Sequence, residues 1–395
     1  MKEHLFQAVE AQRTTLTAMA DSIFDDPELG FQEFHAQKKL TDYLTQSGFQ
    51  VETGTGGVET AFRAEFRNGQ GGPRIGLLCE YDALEGLGHA CGHHMQGPAI
   101  LGAAKALKDA AIDAPYTITV YGTPAEETIS GKVVMLENGC TFEELDVALM
   151  MHGGPATQVD VKSLALNKLK IIYHGVCSHA ALKPEKGRSA LDGLILACQG
   201  VEFLREHVPS DVRMHYTIVN CGGTAANVVS GYAEASMYVR SYSRTELDGV
   251  VARVKKVLQG AAMMTETEVE IIEEKSLDNK IPVLSLNELV MEQAEKVKAP
   301  CIRPARQKTG STDFGNVMRH VPGTCIRVAF VPEGAAAHSQ EYLDAGKTEA
   351  AHDAVVYGAK ILALTGVQLI EDPEKLEVIK KEFHENLAQE LHGQS

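Results

Sequence analysis

The chain has little of what would mark a membrane, secreted or nucleic-acid-binding protein. Nowhere among its 395 residues does an apolar run approach the roughly 18 needed to span a bilayer. The opening segment MKEHLFQAVEAQRTTL lacks the apolar stretch and small-residue cleavage site of a secretory signal, so a cytoplasmic protein is expected. Positive charge is scarce: 37 Lys and Arg against 53 Asp and Glu leave a formal net charge of −16. That balance argues against nucleic acid or an anionic membrane as partner. No internal repeat or low-complexity tract is present, and 44% hydrophobic with 23% charged residues excludes wholesale disorder. The eight cysteines, at 79, 91, 140, 177, 198, 221, 301 and 325, are scattered along a long chain, several inside apolar runs. They read as reduced, buried thiols rather than a disulfide scaffold. At roughly 150 residues per domain the length implies two to three domains.

What is present is an alternation of short apolar runs with amphipathic stretches. Helices are predicted over 2–23 and 33–47, then at Pro98–Ala111, Gly131–Asn138, Thr312–Arg319 and Lys347–Thr365. Strands are predicted at Thr60–Phe66, Arg74–Cys79, Tyr116–Gly122, Val147–Met151 and Cys325–Val331. Continuously apolar strands alternating with helices predict an α/β fold, a mixed sheet covered by helices on both faces. Between about 163 and 280 the order becomes strand, helix, strand, strand, helix, strand, which predicts an inserted α+β unit of ferredoxin-like type. The expected division is 1–162 with 281–395 as one α/β body, interrupted by 163–280. Over Pro373–Leu391, apolar residues at spacings of three and four predict a last helix packed back on the body.

Polar chemistry collects just after the apolar strands of the body. Glu80-Tyr81-Asp82 and then His89, Cys91, His93 and His94 follow one strand, and Pro124-Ala125-Glu126-Glu127 follows another. His152 follows a third, and His338 comes soon after the last. In open α/β sheets, ligands occupy the crevice outside the carboxyl ends of the strands, so these groups can converge although far apart in sequence. Imidazole, carboxylate and thiolate together suit zinc or another divalent transition ion rather than calcium or magnesium. About five candidate donors exceed the three protein ligands usual for one catalytic zinc, which favours a two-metal site. The adjacent Glu126 and Glu127, facing opposite ways in an extended segment, can divide metal binding from proton transfer. Each element alone has a plainer explanation: a solvated acidic pair, a satisfied core histidine, a loop histidine without a role. A nucleophilic Cys91 with His93 as base is the rival chemistry, and it leaves Glu127, His152 and His338 without work.

These segments, with Gly175-Val-Cys-Ser-His179-Ala-Ala and Gly222-Gly-Thr-Ala-Ala-Asn227, resemble the aminoacylase and carboxypeptidase family of two-metal amidohydrolases across essentially the whole chain. The branch is that of hippuricase, auxin-conjugate amidohydrolases, aminobenzoyl-glutamate hydrolase and β-alanyl dipeptidases. Gly310-Ser-Thr-Asp313-Phe-Gly-Asn316 is most similar to the aminobenzoyl-glutamate hydrolase subgroup. The resemblance implies a zinc-exopeptidase-like body and an inserted dimerisation or lid domain. It implies metal ligands at Cys91, His93, Glu127, His152 and His338, with Glu126 as general base and acid and Asp82 supporting the ligands. It further implies that His179 stabilises the oxyanion in the partner subunit's site, and that His179, Asn227 and Arg240 contact substrate. The cofactor implied is two divalent ions per subunit, zinc first, with manganese or cobalt as alternatives. The partners implied are a small N-acyl amino acid or dipeptide and a second copy of the chain, joined through the inserted domain. An aminobenzoyl-glutamate-type or other aromatic amide is the alternative substrate, and a metal-binding protein without catalysis the remote one. Glu80 stands where many relatives have Asp, and His94 where the family usually has Asp or Asn, so His94 is an additional candidate ligand.

Overall fold

The computed structural model describes residues 2–392, with twelve strands among them. In chain order these are β1 (Gln50–Thr53), β2 (Phe62–Asn68), β3 (Arg74–Cys79), β4 (Tyr116–Gly122), β5 (Val147–Gly154), β6 (Gln158–Ser163), β7 (Ala165–His174), β8 (Arg213–Asn220), β9 (Tyr232–Ser241), β10 (Glu268–Leu277), β11 (Arg306–Thr309) and β12 (Gly323–Ala329). The chain divides into two compact units. One runs through Lys162 and resumes over Lys280–Ala388; the other is Ser163–Asn279 with residues 389–392.

The first unit is built on an eight-stranded mixed sheet ordered β1-β2-β4-β3-β5-β12-β6-β11. Its centre is parallel, since β3 pairs parallel with β4 and β5, and β12 pairs parallel with β5. Strand β4 is buried at every position, as expected of a strand covered on both faces. The faces can be read along β5. Val147, Leu149 and Met151 enter the core beneath the helices Gln96–Asp109 and Glu349–Glu371, whereas Ala148 and Met150 pack with Met135, Phe142, Phe314 and Val317 on the other side. The helix Glu349–Glu371 is long and apolar enough to cross a membrane by length and composition, but 78% of its most apolar window is buried inside the unit. In the last helix, Pro373–His392, Leu376, Ile379 and Phe383 are buried and Leu387 packs against the core, while Leu391 is exposed.

The second unit is a βαββαβ sandwich with strand order β10-β7-β9-β8, every pair antiparallel. Alternation along β9 turns Ala233, Ala235, Met237 and Val239 inward, against helices Ala190–Arg205 and Arg244–Thr265. This is the ferredoxin-like pattern.

Several segments differ from the periodicity reading. The predicted helix 2–23 is two helices, Lys2–Glu10 and Arg13–Phe24, and Leu284–Lys296 is a helix that the periodicity does not predict. Strands β1, β6 and β11 also lack a sequence signal, because β6 (QVDVKS) and β11 (RQKT) carry charged side chains rather than apolar runs.

One close approach supports the segment after β4. A Cβ on Gly131 would lie 1.9 Å from the carbonyl oxygen of Pro124, a backbone atom that cannot swing aside. Replacing Gly131 by Ala is expected to cost about 1–3 kcal/mol through overpacking, read as a lower midpoint in urea denaturation. An unchanged midpoint would show that this turn yields freely.

Candidate metal centre

Three loop segments and strand β5 of the first unit deliver polar groups to a cleft of about 490 Å³. Its wall contains Cys91, His93, Glu126, Glu127, His152 and His338. Cys91, His93 and His152 form one group whose donor atoms all lie within 4.8 Å of one another, and Cys91, Glu127 and His338 form a second. A third group joins His93 to both Glu126 and Glu127. Within this cluster the Cys91 Sγ is 3.6 Å from His152 Nε2, His93 Nε2 is 3.8 Å from Glu127 Oε1, and His338 Nε2 is 3.2 Å from the same oxygen. Thiolate, imidazole and carboxylate donors in two overlapping groups that share Cys91 fit a pair of borderline-soft divalent ions.

Asp82 holds the cluster from beneath. One carboxylate oxygen lies 3.1 Å from His93 Nδ1, and the other accepts the Glu127 backbone N–H at 3.0 Å. That places Nε2 of His93 toward the cleft and fixes the backbone carrying Glu127, the orienting role that ligating imidazoles require.

Glu126 and Glu127 do not sit in an extended segment, as expected from sequence, but in a turn. Ala125 (φ 60°) and Ser130 (φ 63°) at its ends are both left-handed, and the Ser130 and Gly131 N–H groups donate to the Ala125 carbonyl. The strained Ala125 is held by its N–H donating to the Glu33 carboxylate at 2.8 Å, with Glu33 itself buried. The two carboxylates are thus separated by turn geometry rather than by strand alternation. His338 is likewise left-handed (φ 63°), with its N–H bonded to the Ala90 carbonyl at 3.0 Å, which ties its loop to the segment carrying Cys91.

Below the cleft, the wholly buried Lys132 ammonium donates to Glu80 at 2.5 Å and to Asp313 at 2.7 Å. Gln96 donates to the second Glu80 oxygen at 2.7 Å, and that oxygen is 3.3 Å from His93 Nε2. Burial would raise the Glu80 carboxyl, but Lys132 and His93 outweigh it and bring it down to about 2. Glu126 moves the opposite way: burial, then the charges of Glu80, Asp313 and Glu127, push it up to about 8. Burial also acts on Glu127, where the His338 hydrogen bond and the His93 charge prevail and bring it down to about 2. Adjacent carboxyls are thereby driven apart, the pattern that separates a proton carrier from a permanent anion.

Lys132 carries no periodic or motif signal that singles it out, whereas Glu80 stands at a strand exit and Asp313 lies in the Gly310-Ser-Thr-Asp313 segment. His94 is not a ligand. Its Nε2 is 2.8 Å from the Gly346 carbonyl oxygen and its ring packs against Phe24 at 4.9 Å; burial lowers it to about 4, so it is a neutral core imidazole. His152 lies within β5 rather than after it, with Nδ1 2.7 Å from the Gly153 carbonyl oxygen. His179, Asn227 and Arg240 belong to the second unit. The His179 and Asn227 segments adjoin there, with the Ala180 N–H donating to the Asn227 carbonyl at 2.9 Å. Asn227 and His179 are both exposed. Arg240 on β9 lies over the Tyr238 ring at 5.5 Å.

Residues 77–365 match the model of peptidase family M20/M25/M40. The chain belongs to this family. It is a metal-dependent hydrolase of amide bonds. It is 33% identical to the mouse Xaa-Arg dipeptidase over 99% of this chain and 94% of that one. It is 31% identical to one subunit of the p-aminobenzoyl-glutamate hydrolase of Escherichia coli K12, over 96% and 94%. The fold is that of Bacillus subtilis YXEP protein, described as a dinuclear metal binding peptidase of family M20, with a TM-score of 0.70, 21% identity and coverage of 92% and 99%.

Within this M20 chain, replacing Asp82 by Asn is expected to weaken divalent-metal retention about 10- to 100-fold, measured by competition with a chromogenic chelator. Equal retention would mean that the His93 ring is held without it.

Proposed function

We propose that the protein cleaves the amide bond of a small N-acyl amino acid or dipeptide, with Glu126 moving the proton. The observation that carries this reading is the convergence of Cys91, His93, Glu127, His152 and His338 in one cleft, with the Glu126 carboxyl beside them and raised by burial and by neighbouring carboxylates. Cys91, His93, Glu127, His152 and His338 would hold two divalent ions, zinc before manganese or cobalt, and Asp82 orients His93. Bound ions would polarise the amide carbonyl and acidify a water. The carboxylate of Glu126 takes a proton from the attacking water and returns it to the departing amine nitrogen, a role that calls for a group titrating close to neutral pH. Lys132, Glu80 and Asp313 beneath are buried away from water, so the charges that set Glu126's proton affinity are little screened.

The substrate class is supported by the relatives, one a dipeptidase and one an aminobenzoyl-glutamate hydrolase. The same reading assigns 163–280 as the inserted dimerisation and lid domain of a homodimer, with His179, Asn227 and Arg240 contributing to oxyanion and substrate binding, and 1–162 with 281–395 as the catalytic domain. A cytoplasmic setting is part of it, supported by eight cysteines that are all free thiols.

Replacing Glu126 by Gln is expected to lower kcat about 10²- to 10⁴-fold on N-acyl amino acids and dipeptides while the metal content by elemental analysis stays unchanged. Retained turnover in metal-loaded Glu126→Gln protein would remove Glu126 from the mechanism.

A further inference from the structure

Beyond the metal donors, the cleft has a second pole of opposite sign. Three neighbouring strands build it: β6 carries Asp160, β12 beside it carries Arg327, and β11 on its other side carries Arg306. Arg306 Nε donates to one Asp160 oxygen at 2.7 Å; Arg327 Nε donates to the other at 3.3 Å, with Lys280 Nζ at 3.4 Å from it. All four residues line the same cleft as Cys91 and Glu127.

Asp160 carries one negative charge, and both guanidinium groups share it. Positive charge therefore remains on this wall, in a protein whose formal net charge is −16. A single cation would balance the charge of Asp160, and three approach it here. The surplus faces the cleft, because protein engages only the Nε of Arg306 among the described residues, while its planar pair of terminal amino groups remains on a side chain 35% exposed. Arg327 is anchored differently: its Nη1 donates to the Gly153 carbonyl at 3.3 Å, next to His152, so it is fixed with respect to the metal donors. A guanidinium fork held at one nitrogen and open at two others matches a carboxylate in geometry as well as in charge.

We infer that the Arg306 and Arg327 wall is an anion subsite that selects amide substrates bearing a carboxylate beyond the one next to the scissile amide. This rests on the hydrolytic reading for the word substrate, but the subsite itself is a matter of binding. The extra carboxylate can reside on the amino-acid side chain or on the acyl group, and the chemistry recognised is the same. An anionic side group is thereby favoured over the cationic side chain named for the mouse dipeptidase relative.

The test is calorimetric binding to zinc-loaded Glu126→Gln protein, with and without a second change, Arg306→Gln. One arm compares N-acetyl-L-glutamate with its uncharged isostere N-acetyl-L-glutamine, and the other compares N-succinyl-L-alanine with N-butanoyl-L-alanine. Tighter binding of the carboxylated member by about 10- to 100-fold in either arm is expected, as for a hydrogen-bonded charged pair. That preference should vanish in Arg306→Gln and return at least in part in Arg306→Lys. The arm that shows the preference identifies which end of the substrate carries the group. No preference in either arm, or one that Arg306→Gln leaves intact, overturns the subsite. Failure of the wild-type protein to hydrolyse any of the four, with the binding preference present and dependent on Arg306, would overturn the hydrolytic reading and leave the subsite standing.

Discussion

The buried ammonium of Lys132 is the contact on which the rest of the site depends. Glu80, Asp82, Glu126, Glu127 and Asp313 crowd a small volume at the edge of the central sheet, and carboxylates so placed cannot all stay ionised without compensation. Lys132, bonded to both Glu80 and Asp313, supplies one fixed positive charge beneath the cleft. Bound cations would supply the remainder above it. Between these two sources of charge lies Glu126, raised by its surroundings where its neighbours Glu80 and Glu127 are lowered. Removing the ammonium would leave buried anions unpaired, a far larger penalty than the net worth of the pair.

The sheet explains why such a cluster can be assembled at all. Parallel pairing of β3, β4, β5 and β12 brings their carboxyl ends to one edge, so residues as distant in sequence as Glu80 and His338 meet there. The price is local strain: Ala125, Ser130 and His338 are left-handed without being glycine, and each is fixed by hydrogen bonds at or next to it. The edge formed by β6 and β11 has a different use, presenting charge toward the same cleft. The two poles, candidate metal donors on one wall and cations on another, define what can lie between them.

Much of this is legible from sequence because burial writes a simple signal. Arg74–Cys79 and Tyr116–Gly122 are strands at the predicted bounds, since a strand covered on both faces is rich in apolar and β-branched residues and carries almost no charge. The candidate donors Cys91, His93, Glu127 and His338 are visible as unusual residue types after the strands, and His152 as one near the end of β5. What escapes has physical reasons. Strands β6 and β11 are stabilised by pairing and by Asp160's ion pairs, which have no periodicity to detect. Lys132 reads as an ordinary helical lysine until Asp313, 181 residues away in sequence, is brought beside it. His94 sits among metal-ligand residue types yet its ring turns into the core, and only the tertiary position of Phe24 and Gly346 decides that.

The most direct measurement is anomalous X-ray diffraction from crystals of the zinc-loaded protein, recorded on both sides of the metal absorption edge. Two peaks are predicted in the cleft, both within about 2.0–2.3 Å of donors drawn from Cys91, His93, Glu127, His152 and His338, with Glu126 coordinated to neither. No anomalous density in the cleft, or Glu126 found as a ligand in place of Glu127, would contradict the division of labour between the two carboxylates.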